Sequence, residues 1–318
     1  MHERATPRLG VQVGSLTLRN PVIAASGTFG YGVEFAGVVN LSALGAIVVK
    51  GISLEPSRGH PAPRLVETSA GMLNAIGLQN IGVRAFLESK LPQLRAYGTP
   101  VVANCWGNVP EEFAEVAARL SDAEGLAAVE LNISSPNKRE WGRIIATDLG
   151  LTREVIRAVR PRCRLPLWVK LSPNVTDIAS FARVAEEEGA DAVCLINTLL
   201  GMAVDLDRRR PVLANVTGGL SGPAIKPVAL RMVHDAVRAV RIPVVGIGGI
   251  ISGDDALEFL LVGARAVQVG TASFIEPRAT ERIVRELAAG LRKRGVGDVN
   301  DWIGTLEVPA RDPVSPAR

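Results

Sequence analysis

Val244-Val245-Gly246-Ile247-Gly248-Gly249 and, one helical stretch later, Ala266-Val267-Gln268-Val269-Gly270-Thr271 decide the fold. Each is a short apolar run that stops at glycine just before helical periodicity begins. Between them, Asp254–Val262 has the spacing of an amphipathic helix, and Gly263 stands where such a helix should stop. The same unit recurs upstream. Candidate strands are Val22–Ser26, Ala46–Lys50, Val101–Cys105, Val129–Ile133, Leu167–Leu171 and Ala192–Asn197. Most are apolar nearly throughout, as parallel strands buried on both faces must be. Helical stretches run over Glu111–Leu120, Leu149–Val159, Ile178–Glu188 and Pro227–Val240, with Pro110 and Pro227 where a first turn tolerates proline and Gly189 at a helix end. Strand and helix alternating about eight times predict an α/β protein with a (β/α)₈ TIM barrel. The expected layout is a single domain over 1–318, with a core of about 16–295 and a tail of about 296–318. An open doubly wound sheet is the competing arrangement, but no G-x-G-x-x-G follows the first strand.

Composition narrows the function. Hydrophobic residues make up 47% and charged residues 21% of 318 positions, ordinary values for a globular chain. No solenoid-type repeat is present. The net charge of +4, from 36 basic and 32 acidic side chains, is too slight for a nucleic-acid footprint. The one dense basic cluster, Arg208-Arg209-Arg210, reads as a solvated loop. No apolar run reaches the ~18 residues of a membrane span, and the opening MHERATPRLG lacks the apolar stretch of a signal peptide. Cys105, Cys163 and Cys194 have no spacing suited to disulfides, zinc or an iron–sulfur centre. The expectation is a reduced, cytoplasmic protein without a metal.

Polar and glycine residues gather just after the strands' C-terminal ends, the catalytic face of a barrel. Glycines after the last two strands let backbone N–H groups approach a phosphate, although each alone also fits a tight turn. Lys50 and Lys170 conclude apolar runs, and an ammonium there needs an anionic or strongly polar partner. One such lysine is explained by a structural ion pair; two on one rim point to an anionic ligand. Asn104, Asn132 and Asn197 fall at strand ends, with Asn74 and Asn137 in loops beyond. Asparagine offers donor and acceptor without charge, which matches a planar heterocycle with alternating C=O and N–H edges. His2, His60 and His234 fall at no strand end, and no paired-carboxylate or metal-ligand constellation supports hydrolysis or metal chemistry.

These segments resemble the dihydroorotate dehydrogenases over roughly Leu16 to Phe274. The specific stretches are Ala25-Ser26-Gly27-Thr28-Phe29-Gly30, the run from Gly71 to Asn80, Leu131-Asn132-Ile133-Ser134-Ser135-Pro136-Asn137, the run from Ile196 to Met202, and that from Gly218 to Pro227. Class 1 enzymes are the best match, class 1B above all; little chain precedes Leu16, which disfavours the membrane-docking helical segment of the quinone-linked class 2. The resemblance implies FMN lined by Ser26, Lys50, Gly51, Asn104, Asn132, Lys170, Ile196, Gly222, Gly248, Gly249, Gly270 and Thr271. It implies a pyrimidine held by Lys50, Asn74, Asn132, Asn137, Asn197 and Thr198, with backbone from Ala75, Ile76, Gly77 and Leu78. The implied reaction removes a proton from C5 of dihydroorotate and delivers hydride from C6 to the flavin.

One position departs from the class. Class 1 enzymes resemble this chain except that they carry a cysteine base where Ser135 stands, as class 2 enzymes carry serine. A serine hydroxyl needs a relay, through water or a hydroxyl such as that of Thr198, to act as base. The following loop, Lys138–Arg143, is also less glycine-rich than its class 1B counterparts. Class 1B resemblance implies an FAD and iron–sulfur partner subunit passing electrons to NAD in a heterotetramer. Class 1A resemblance implies a homodimer using fumarate. A related barrel reducing uracil or thymine, a tRNA-modifying flavin barrel and a non-redox phosphate-binding barrel remain as alternatives.

Overall fold

In the computed structural model, residues 6–135 and 145–309 are described. An antiparallel hairpin, β1 (Val11–Val13) and β2 (Leu16–Leu18), precedes the first barrel strand, β3 (Val22–Ala24). Then come β4 (Ala46–Val48), β5 (Leu65–Thr68), β6 (Gly71–Asn74), β7 (Val101–Cys105), β8 (Ala128–Asn132) and β9 (Leu167–Lys170). The remainder are β10 (Ala192–Leu195), β11 (Leu199–Met202), β12 (Val204–Asp205), β13 (Arg210–Pro211), β14 (Thr217–Ser221), β15 (Val244–Ile247) and β16 (Ala266–Val269). Strands β3, β4, β7, β8, β9, β10, β15 and β16 close into a barrel, with every pairing parallel. Every residue in them is buried. Helices cover one side of each strand and the barrel interior the other, so an apolar run without alternation is what this position selects.

The expected strands are all present; β8 begins one residue early, at Ala128, and the other differences lie at the C-terminal ends. β4 stops at Val48 and β10 at Leu195, short of the anticipated Lys50 and Asn197. There the chain leaves its neighbours for the rim: the Lys50 N–H donates to Gly30 O at 2.8 Å, and the Asn197 N–H to Leu171 O at 3.0 Å. The outer helices follow their punctuation. Pro110–Ser121 and Lys226–Val237 carry proline in the first turn. The helix Ile178–Glu187 is capped by Asp177 and stopped by Gly189, whose φ is +86°. Ser252 and Asp255 form a reciprocal capping box on Gly253–Leu261.

The last of these helices is fixed to its strand through a missing side chain. A Cβ on Gly246 would lie 2.5 Å from the Phe259 ring, so the fully buried ring rests on the backbone of β15. Phe259→Ala should cost about 3–5 kcal/mol. Urea unfolding should show a lower midpoint; a loss under 1 kcal/mol would contradict this packing.

One element is not legible in the sequence. An antiparallel sheet of order β11-β14-β6-β5 stands on the catalytic rim. Asn74, expected in a loop, is the last residue of β6 and pairs with Gly219 and Leu65. Glycines usually weaken strand readings, but here they admit close backbone approach. A Cβ on Gly71 would lie 2.0 Å from Ser221 O. Arg208 and Arg209 are exposed in the turn joining β12 to β13, and exposed Arg210 opens β13.

Candidate active site

The barrel's C-terminal rim surrounds an open cavity of about 1230 Å³, including space continuous with solvent. Ser26, Lys50, Gly51, Asn104, Asn132, Lys170, Ile196, Gly222, Gly248, Gly249, Gly270 and Thr271 all line it. So do Asn74, Ile76, Gly77, Leu78, Ser135, Asn197 and Thr198. Ala75 does not: it is fully buried, its N–H donates to Arg64 O, and its carbonyl meets His60 Nδ1 at 3.2 Å. Asn137 and Lys138–Arg143 lie outside the described residues.

On one side, the ends of β15 and β16 present backbone rather than side chains. Gly248 and Gly249 have φ of +129° and +73° and lie close to the start of the helix Gly253–Leu261. Gly222, φ +95°, lies against them: a Cβ on Gly249 would come 3.0 Å from Gly222 O. Thr271 Oγ1 donates to Ser221 Oγ at 2.8 Å, tying β14 to the loop after β16. Glycine backbone close to a helix start thus forms a cradle on this side of the cavity.

The floor is a polar network in an otherwise apolar barrel. Lys170, buried at the end of β9, donates to Ser26 Oγ at 3.2 Å and lies 3.7 Å from Glu130. Asn104 Nδ2 donates to Glu130 Oε1 at 2.7 Å, and Asn132 Nδ2 to Asn104 Oδ1 at 3.2 Å. Asn197 Nδ2 donates to Ser134 Oγ at 2.9 Å, and Ser134 Oγ to Asn132 Oδ1 at 3.3 Å. The asparagines thus orient one another, with remaining donors and acceptors available to a ligand.

Two side chains suited to reaction stand on the walls. Lys50 is half-buried; burial, and then the positive charge of Arg64, lower its pKa from the ordinary lysine value, with Glu34 opposing. Ser134 points into the floor network, while its neighbour Ser135, 8% exposed, lines the cavity. Ser135 also lines a second, smaller cavity with Leu78, Trp106 and Phe113.

Some supporting residues escape a reading of rim motifs. Glu130 and Gln268 are fully buried in the barrel floor. Each is a polar residue inside an apolar strand run, the same signal that marks Lys170. His60 packs beneath the pocket wall: a Cβ on Gly77 would lie 2.7 Å from its ring. Met72, Thr28, Ser221, Ile251 and Phe274 also line the cavity.

A closed parallel barrel whose rim cavity is walled by glycine backbone and floored by amides and an ammonium has the architecture of a TIM-barrel enzyme. The chain belongs to the dihydroorotate dehydrogenase family, whose model, described as "Dihydroorotate dehydrogenase", matches residues 8–291. That family is flavin-dependent. A relative from Geobacter sulfurreducens is 58% identical over 302 residues, covering 95% of this chain and 99% of that protein. Another, from Geobacter sp. (strain M21), is 56% identical over 302 residues with the same coverage. A third, from Trichlorobacter lovleyi, is 57% identical over 301 residues, again covering 95% and 99%. All three are named "Dihydroorotate dehydrogenase B (NAD(+)), catalytic subunit". The resemblance read from the sequence motifs is thereby upheld, as is the barrel.

Proposed function

We propose that this chain oxidises (S)-dihydroorotate to orotate in pyrimidine (UMP) biosynthesis, using FMN. The observation that carries the reading is the convergence, on one rim, of the glycine cradle, the Lys170–asparagine floor, Lys50 and Ser135. The described residues fit FMN. Gly248, Gly249, Gly270 and Thr271 would take its phosphate, and Lys170, Asn104 and Asn132 the polar edge of its ring. When bound, FMN supplies the hydride acceptor for C6. Lys50 would hold the substrate carboxylate, and Asn74, Asn132, Asn197 and Thr198 its ring amides, with the backbone of Ile76–Leu78. Ser135 would take the C5 proton. Its hydroxyl requires a relay, and the small cavity behind it offers a place for water.

Purified chain should be yellow and release FMN on denaturation. Anaerobic dihydroorotate should bleach it, and dihydrouracil should not; bleaching by dihydrouracil alone would reassign the substrate.

The relatives' shared name, with its NAD(+) and "catalytic subunit", supports a separate electron-transfer subunit, which we take to carry FAD and an iron–sulfur centre. Exposed Leu200, Met202 and Val204 on or beside the rim sheet suit contact between two copies, hence a homodimer within a heterotetramer. Purification from the host, followed by assays with NAD, fumarate and quinone, tests this. Among the described residues, no helix is long and apolar enough to cross a membrane.

Lys50 gives a pH prediction. Its ammonium persists only below its pKa, which burial and then Arg64 lower from 10.5. The KM for dihydroorotate should therefore rise with pH, with a midpoint below the ordinary lysine value. Arg64→Met removes the second of those causes and should move the midpoint upward. Superimposable KM profiles would remove Lys50 from the carboxylate site.

A further inference from the structure

The deepest charge in the barrel is a carboxylate that the binding set leaves unassigned. Glu130 on β8 is fully buried. Its Oε1 accepts from Asn104 Nδ2 at 2.7 Å and Ser26 Oγ at 3.5 Å; its Oε2 accepts from Gln268 Nε2 at 2.6 Å. Lys170 Nζ stands 3.7 Å away and donates to the same Ser26 hydroxyl. One carboxylate thus holds three residues of the cavity floor from beneath: Ser26, Asn104 and Lys170. A carboxylate accepts at every one of these positions; an amide would turn a donor toward another donor. Burying this anion also requires the cation beside it.

We propose that Glu130 is a positioning residue that fixes Lys170 and sets the net charge beside the flavin ring. With Glu130 ionised, the Lys170–Glu130 pair is neutral overall. Without that charge, a full positive charge faces the cavity in a low-dielectric floor, where it strongly favours negative charge above it. Reduction adds electrons to the flavin, so Glu130 restrains how tightly they are held and keeps them transferable to the next acceptor. This inference rests on the proposed placing of the flavin's polar edge at Lys170.

The test is the midpoint potential of the bound flavin in the purified holoprotein, measured by equilibration with a redox dye. In Glu130→Gln the reduction equilibrium should shift at least tenfold toward the reduced form, about 30 mV more positive for a two-electron couple. Gln268→Leu removes another donor to Glu130 but keeps the charge. It should lower the thermal midpoint of the flavin-free chain while leaving the reduction equilibrium within threefold of wild type. Equal shifts in the two variants, or none in Glu130→Gln, would overturn the proposal. If Glu130→Gln does not retain flavin, Glu130→Asp decides: it keeps the charge, so a tenfold shift there refutes the role and an unchanged potential supports it. A wild-type chain that binds no flavin would instead refute the functional reading beneath this inference.

Discussion

Ser135→Ala is expected to slow anaerobic flavin reduction by dihydroorotate by about 10²–10⁴-fold, the usual contribution of a positioned base. The flavin itself should stay bound. Ser134, not Ser135, carries the hydrogen bonds to Asn132 and Asn197, so removing one Oγ from the wall leaves the floor network in place. Stopped-flow absorbance in the flavin's visible band separates the two quantities, because it reads bound oxidised flavin and its disappearance. Reduction at close to the wild-type rate would remove Ser135 from the chemistry. Ser135→Cys sharpens the result. A thiol ionises near ~8.5 in model peptides, whereas an alcohol works only through its relay. The cysteine variant should keep substantial activity, and its reduction rate should acquire an inflection in the thiol range that wild type lacks. Behind Ser135 the small cavity is lined largely by apolar groups of Leu78, Trp106 and Phe113.

The barrel was legible because its strands are buried on both faces: a run such as Val101–Cys105 has no polar residue on an outward side to obscure it. The site was legible where a costly group ended such a run, as with Lys170 and Asn132. The same rule reaches Glu130 and Gln268, which sit within their strands rather than at the ends, so attention to the rim passes over them. The rim sheet stayed hidden for a different reason. Its register depends on backbones meeting across Gly71 and Gly218, which have no side chains to pattern. Asn74 therefore looked like a loop residue although it closes β6. Ala75 shows the limit of carrying a run of backbone over as a unit: adjoining residues face the cavity while its own polar groups are used by Arg64 and His60. Ser135 was visible only against a family pattern, since serine before proline is by itself an ordinary turn residue.

Gly249→Val should abolish tight FMN binding without unfolding the barrel. The residue has φ +73°, a conformation that a β-branched side chain does not tolerate. The added Cβ would also meet Lys226 Cβ at 2.7 Å and Lys226 N at 2.9 Å. Lys226 cannot easily give way. Its Nζ is held by Asp255 at 2.6 Å and Glu258 at 2.9 Å, and Asp255 in turn accepts from the Ile251 and Ser252 N–H groups at 3.0 and 2.9 Å. The strain must therefore be relieved by moving the loop after β15, to whose backbone N–H groups the proposed function assigns the phosphate. A hydrogen bond to a charged group is worth about 1.5–3 kcal/mol. Losing two corresponds to at least about a 10²-fold rise in Kd. Titrating flavin-free protein with FMN and following flavin fluorescence measures this directly. Gly37→Ala is the matched control, because Gly37 is exposed and a Cβ there meets nothing within 4 Å; its Kd should equal that of wild type. Far-UV circular dichroism at the assay temperature should show the same helix content in all three proteins. A Gly249→Val chain that binds FMN within threefold of wild type would place the phosphate elsewhere on the rim. It would also leave the glycines after β15 and β16 as tight turns only.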